Sequence, residues 1–329
     1  MADTPAVRAI DRRKAPISSQ LDTATTLRCS EWARQLDVDP IGTAGTYAGY
    51  LLVEWPLPWP HDLGEVPELA PLVSALAGTG IRLQGLVPTW SHGPEHHAIL
   101  YHQRSNVPAG FAGFEGRQVT APLDELVAAA LHLLEGGGTG ATDRRPWPTD
   151  VLVCGHGRRD RCCGTLGTRL TLQLAASHVG GDNVRLWRTS HTGGHRFAPT
   201  MIVLPEATVW AFADPDLVDR VLQRDGPLDD LVARYRGCSG LSSPHVQALE
   251  RSVLAEVGWS LFSSVRRGRE RPDGSVSLQV QSPGATTEWE ATVTNGRRLP
   301  VPVCGSPIEE AVKSEPELVV DRVRRVTPA

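Results

Sequence analysis

One order of elements occurs twice along this chain, and it limits the fold more than any single motif. Residues 50–55 (YLLVEW) form an apolar run of strand type, ended by a Pro-Trp-Pro-rich loop. Helical periodicity follows over 67–76. Strand patterns come at 81–87, 97–102 and 117–120. Residues 123–134 then place Leu123, Leu126, Val127, Ala130 and Leu134 on one helical face. The second half repeats this order. A strand at 151–153 leads to a helix over 165–177, striped by Leu166, Leu170 and Leu174. Strands at 184–188, 201–204 and 208–212 follow. Asp214-Pro215 opens the last helix of the set, a capping carboxylate followed by proline at the first helical position.

Between the halves, residues 135–149 (EGGGTGATDRRPWPT) have the composition of a linker. The predicted fold class is therefore α/β. Two thioredoxin-like βαβ-ββα units stand in tandem, followed by a small C-terminal helix/strand extension. The expected divisions are a disordered tail over 1–20, a first unit over 21–136 and a linker over 137–149. A second unit spans 150–260 and the extension 261–329. Residues 244–257 read as a helix. Residues 275–281 (SVSLQVQ) alternate with period two, and 288–293 pair with them across a long loop. The charged final fifteen or so residues read as a loose tail.

Composition narrows the function classes. A chain of 329 residues can bury a large core, and a net charge of −4 gives no pull toward nucleic acid or an anionic membrane. No apolar run approaches the roughly 18 residues that span a bilayer. The charged N-terminus lacks the apolar stretch of a signal peptide, so the expected compartment is cytoplasmic. Six irregularly spaced cysteines in such a chain do not make a disulfide framework.

The chemistry concentrates between residues 151 and 197. Cys154 ends a strand, and Cys163 opens a helix after eight intervening residues. His191 and His195 follow the next strand in the run His-Thr-Gly-Gly-His. Two adjacent glycines argue against a helix there and for a tight loop that carries both imidazoles on one side. The working ligand set is Cys154, Cys163, His191 and His195. Two thiolates with two imidazoles suit a tetrahedral zinc, and equally a two-iron, two-sulfide centre in which histidines replace two cysteines. Spacing alone leaves both open. The Cys-x-His and Cys-x-x-His pairs of Rieske proteins are absent.

The Cys154–Cys163 spacing and the run Ser190-His191-Thr192-Gly193-Gly194-His195-Arg196-Phe197-Ala198 resemble the sucrase/ferredoxin-like family. The pair Arg159-Asp160 and the run Leu204-Pro205-Glu206 match as well. So do Cys29-Ser30, Gly42-Thr43-Ala44, Pro58-Trp59 and the segment from Tyr235-Arg236-Gly237 to Gln247. The resemblance spans residues 28–260. It implies a thioredoxin-like ferredoxin with a [2Fe–2S] cluster on Cys154, Cys163, His191 and His195. It also implies electron transfer or redox sensing with an unidentified reductase or acceptor protein, and a pH-dependent potential above that of plant-type ferredoxins. Family spacing selects Cys163 and leaves its neighbour Cys162 unexplained. Nothing supports the sucrase part of the name, because no placed carboxylate pair stands out.

Other residues carry blander expectations. Cys162 reads as a bystander thiol; a thiol-based reductase using Cys162/Cys163 is the minority alternative. A structural zinc module for protein binding is the other. His156 reads as an exposed loop histidine with a chance of supporting a ligand. Arg158, Arg159, Arg161 and Arg196 flank the site as docking candidates, and Asp160 is expected to hold one of them. His92, His96, His97 and His102 read as surface histidines, and Cys29, Cys238 and Cys304 as isolated residues.

Overall fold

Strand β1 (Gly49–Glu54) is buried along its whole length, as its unbroken apolar run requires. The computed structural model describes residues 28–88, 94–103, 110–140, 147–177 and 183–326. After an initial helix α1 (Cys29–Gln35), the first half runs β1, α2 (Ala70–Leu76), β2 (Ile81–Leu86), β3 (Glu95–Gln103), β4 (Phe114–Pro122) and α3 (Leu126–Leu134). A two-residue strand β5 (Thr139–Gly140) leads to β6 (Thr149–Cys154), α4 (Thr168–Ser177), β7 (Val184–Thr189), β8 (Met201–Leu204), β9 (Thr208–Trp210) and α5 (Pro215–Gln223). Strand β10 (Tyr235–Cys238) and helix α6 (Pro244–Val257) follow. Residues 1–20, His92 and residues 141–146 of the presumed linker lie outside the described residues.

The repeated element order produces a repeated pairing. In the first half β1 lies parallel to β2 and antiparallel to β3, which pairs with β4. In the second, β6 lies parallel to β7 and antiparallel to β8, which pairs with β9. The halves do not form separate sheets. They join in one ten-stranded mixed sheet of order β10-β9-β8-β6-β7-β2-β1-β3-β4-β5. The seam is short: β2 and β7 meet antiparallel at Leu86 and Thr189, the last residue of each. Around it, the Thr189 hydroxyl donates to the Gly85 carbonyl at 2.8 Å, and the Gln84 amide donates to the Ser190 carbonyl and hydroxyl at 2.7 Å each. Strand β5 falls inside the stretch read as linker and pairs with β4.

The C-terminal part corrects the expected loose tail. Strands β11 (Val265–Glu270), β12 (Ser275–Ser282), β13 (Ala285–Pro300) and β14 (Ser314–Val326) form a four-stranded antiparallel sheet. The expected long loop between β12 and β13 is only Pro283-Gly284, with Gly284 at φ 78°. The charges of β14 face solvent at a sheet edge, while Leu318, Val320 and Val323 turn to the core. That core is shared with α6 and with residues from both halves of the large sheet. A buried ion pair crosses it: the Arg266 guanidinium donates to Glu250 at 2.5 Å, and the Tyr235 hydroxyl donates to the same carboxylate at 2.9 Å. No helix of the described residues is long and apolar enough to cross a membrane.

Candidate metal centre

Two parallel neighbours set up the site. Cys154, the last residue of β6, stands in register with Thr189, the last of β7. Residues just beyond the carboxyl ends of adjacent parallel strands emerge side by side. Cys154 and His191 do so, with Sγ and Nδ1 4.0 Å apart. The seam with the first half fixes His191 from the other side, because Ser190 is held by Gln84 and Gly85, and Arg82 donates to the His191 carbonyl.

After Cys154 the chain loops out and returns into a π-helical turn, Cys163–Gly167, which runs on into α4. Glycines permit the return. A Cβ at Gly167 would stand 1.7 Å from the Cys154 carbonyl oxygen, and one at Gly164 2.4 Å from Gly157 Cα. His156 is not an exposed loop residue as expected. It is buried, packs edge-on against Trp59, and its Nε2 lies 2.8 Å from the Pro60 carbonyl. It thus ties the loop to the first half, and burial pushes its pKa down. Arg159 contacts His61 at 2.9 Å, while Arg158 and Arg161 are exposed.

The second pair of ligand candidates depends on Gly193 and Gly194, at φ 85° and 69°. The left-handed turn they make is closed by Arg236, fully buried beneath it, which donates to the Gly193 carbonyl at 3.0 Å. A Cβ at Gly194 would come within 2.5 Å of that guanidinium. The turn brings the His195 ring beside that of His191, centroids 6.0 Å apart. His195 Nε2 lies 3.0 Å from the Pro302 carbonyl, which accepts its proton and leaves Nδ1 free. Burial lowers the pKa of His195, keeping the ring neutral. Arg196, expected to flank the site as a docking candidate, does not face solvent. It is buried, donates to Glu315 at 2.8 Å and Pro300 at 3.1 Å, and holds the C-terminal sheet against the turn.

The donor atoms of Cys154, Cys163 and His191 all lie within 4.8 Å of one another, and His195 adjoins this group. Both cysteines are fully buried and both histidines partly exposed. The Cys163 thiol donates to Cys154, holding Cys154 well below the usual thiol range. Cys163 keeps the shared proton and lies well above it. The pairing thus favours the thiolate at Cys154 over that at Cys163.

Sequence reasoning missed a second cluster. Cys29 and Cys304 are not isolated: with Cys162 they form a group whose sulfurs lie 3.0 to 3.5 Å apart, with Asp160 among them. Asp160 holds no arginine among its described contacts. Its two oxygens accept from the backbone N–H of Cys162 and of Cys304, at 2.7 and 3.1 Å. No spacing rule finds this group, since its members come from segments more than 130 residues apart. Of the other histidines expected at the surface, His97 is buried and bonded to Glu54 at 2.9 Å.

A family model described as Sucrase/ferredoxin-like matches residues 40–237, more than half of the chain. The chain belongs to the sucrase/ferredoxin-like family. The match covers both halves of the large sheet and all four of Cys154, Cys163, His191 and His195. Among curated proteins, the chain is similar to altered inheritance of mitochondria protein 32 from Meyerozyma guilliermondii. The two are 34% identical over 65 residues, 18% of this chain and 23% of that protein. The chain thus matches less than a quarter of this relative's length. No solved structure matches.

Proposed function

We propose that this member of the sucrase/ferredoxin-like family is an electron-transfer or redox-sensing protein, with a [2Fe–2S] cluster on Cys154, Cys163, His191 and His195, and that each half of its large sheet is a thioredoxin-like unit. The observation that carries this reading is the convergence of three of those donors within 4.8 Å, with His195 alongside. A single tetrahedral zinc would draw all four donors to about 3.3–3.8 Å of one another. His195 stands outside the compact group, which favours a two-metal centre that spreads its ligands. Bound there, the cluster supplies a reversible one-electron couple.

The chain's own residues do the rest. Gly167 and Gly194 allow the backbone to close on the site. Arg236 and Pro302 hold the histidine turn. The half-exposed histidines offer the edge from which electrons leave. Exposed Arg158 and Arg161 give that neighbourhood positive charge, suited to an acidic partner. The proton on His195 Nε2 is held by a backbone carbonyl, so its loss can follow the charge at Nδ1.

Absorption and metal analysis of the full chain test the reading. Aerobically purified protein is expected to be red-brown, with two irons and two sulfides per chain. His191→Ala or His195→Ala should bleach or shift the visible bands, and Cys162→Ser should leave them. The potential should fall as pH rises from 6 to 9, because the reduced form binds the proton more tightly. Colourless protein whose stoichiometric zinc disappears in Cys154→Ser would sink the proposal.

A further inference from the structure

We propose that Cys29, Cys162, Cys304 and Asp160 form a second metal site, which takes a single zinc-class ion and pins α1 and the loop after β13 onto the loop of residues 155–162. The three sulfurs make a small triangle: Cys162 to Cys304 3.0 Å, Cys29 to Cys304 3.4 Å, Cys29 to Cys162 3.5 Å. Asp160 Oδ1 lies 3.5 Å from Cys29 Sγ. All four donor atoms fall within 4.8 Å of one another, and all four residues but Cys304 are buried.

Four donors meeting at one point suit one ion, not a polynuclear cluster. Tetrahedral zinc sets its sulfurs about 3.8 Å apart, so each sulfur need move only by a few tenths of an ångström. Three soft thiolates exclude calcium and magnesium, and a set of three sulfurs with one carboxylate oxygen fits a borderline ion. The surroundings already support ligands. The Ser30 hydroxyl donates to Cys162 Sγ at 3.2 Å, and the Cys29 N–H donates to Cys304 Sγ at 3.4 Å. Asp160 is aimed by two backbone N–H donors and keeps lone pairs free. Hydrogen bonds from Cys29 and Cys304 favour the Cys162 thiolate, while Cys29 and Cys304 hold their protons. Binding a dication releases those protons.

The ion would join segments 131 to 275 residues apart. Cys304 lies two residues from Pro302, whose carbonyl holds His195. The second site therefore fixes the cover over the first centre. Cys29 and Cys304 fall outside the span that the family model matches. The inference does not depend on which metal the first centre takes.

Zinc and iron are measured on the full chain, its Cys304→Ser variant and its Cys154→Ser variant, each purified after growth with added zinc. About one zinc per chain is expected in the parent and in Cys154→Ser, falling roughly tenfold in Cys304→Ser. Zinc that follows Cys154 instead, or a parent chain that neither carries zinc nor takes up Zn²⁺, overturns the proposal. Should Cys304→Ser fail to fold, peptide mapping of the iodoacetamide-treated parent decides. Cys29, Cys162 and Cys304 should be protected until a zinc chelator is added and labelled after it. Labelling that the chelator does not change, or a Cys162–Cys304 disulfide in the unreduced protein, counts against the site. Loss of the iron reading alone leaves this zinc pattern untouched, so the two can fail separately.

Discussion

Gly167 shows how one missing side chain sets the site. It sits in the π-helical turn, where helix propensity alone says that alanine should stabilise by about 1 kcal/mol. The structure says otherwise, because the new Cβ would lie 1.7 Å from the Cys154 carbonyl. The atoms it would meet, the Cys154 carbonyl and Gly155 Cα, are backbone and not the end of a flexible side chain. Gly167→Ala should therefore cost at least the ~1–3 kcal/mol of an overpacked core and push Cys154 away from His191. A lower denaturant midpoint, with weakened visible absorption or lowered metal content, checks this; an unchanged or raised midpoint would show that the turn can slide. At this scale, the sequence singled out Cys154, Cys163, His191 and His195 from residue type and glycine placement, which are local signals, and the structure gathers the donors of the first three within 4.8 Å with His195 alongside. It misplaced His156 and Arg196, whose partners, Pro60 and Glu315, lie 96 and 119 residues away. Burial of a polar residue depends on what folds over it, and no window around the residue contains that. The same limit hid Cys29 and Cys304.

At the scale of elements, α6 and β11 are joined by the Glu250–Arg266 pair, both side chains 0% exposed. Arg266 also lies over Phe111 and Phe262, at 5.4 and 5.8 Å, and Glu250 takes further bonds from Tyr235 and Cys238. Breaking such a pair from one side strands a charge in the core. Arg266→Ala should cost about 3–5 kcal/mol, while the double change Glu250→Gln with Arg266→Met should cost less than the two single changes summed. A double-mutant cycle by denaturant unfolding measures the coupling, and strict additivity would mean that the pair contributes nothing jointly. Most elements were legible from period and caps: Asp214 accepts from the backbone three residues on at its helix start, as the Asp214-Pro215 pair implied. The C-terminal strands were harder. In β14 the charges outnumber the inward apolar residues, so composition suggests a tail while alternation carries the strand.

For the whole molecule, the repeated order of elements was readable, but its consequence was not. Two like units side by side give no sign in sequence of whether they make two sheets or one. The answer rests on the meeting of Leu86 with Thr189 and on the polar ties around it. This continuity bears on the stretch 150–260, which holds the four ligand candidates of the first centre. Much of its surroundings comes from outside. Trp32 and Ala33 of α1 pack with Phe197 and Phe212. The apolar face of α6 lies against Val276, Leu278 and Trp289 of the C-terminal sheet. The seam residues Arg82, Gln84 and Gly85 brace Ser190 and His191, and Pro302 holds His195. Cutting at 150 and 260 would bare each of these apolar faces and leave the buried Glu250 without Arg266. Hydrophobic burial supplies most of the stability, at about 25 cal/mol per Å², so a fragment that loses several core faces cannot retain the few kcal/mol by which domains stay folded. Residues 150–260 expressed alone should therefore aggregate or show no cooperative unfolding and hold no stoichiometric metal. A chain of residues 28–326 should unfold cooperatively with the full metal content. Cooperative unfolding of the short fragment, seen by circular dichroism with metal retained, would show that the second unit is self-sufficient and that the seam and the C-terminal sheet are accessories.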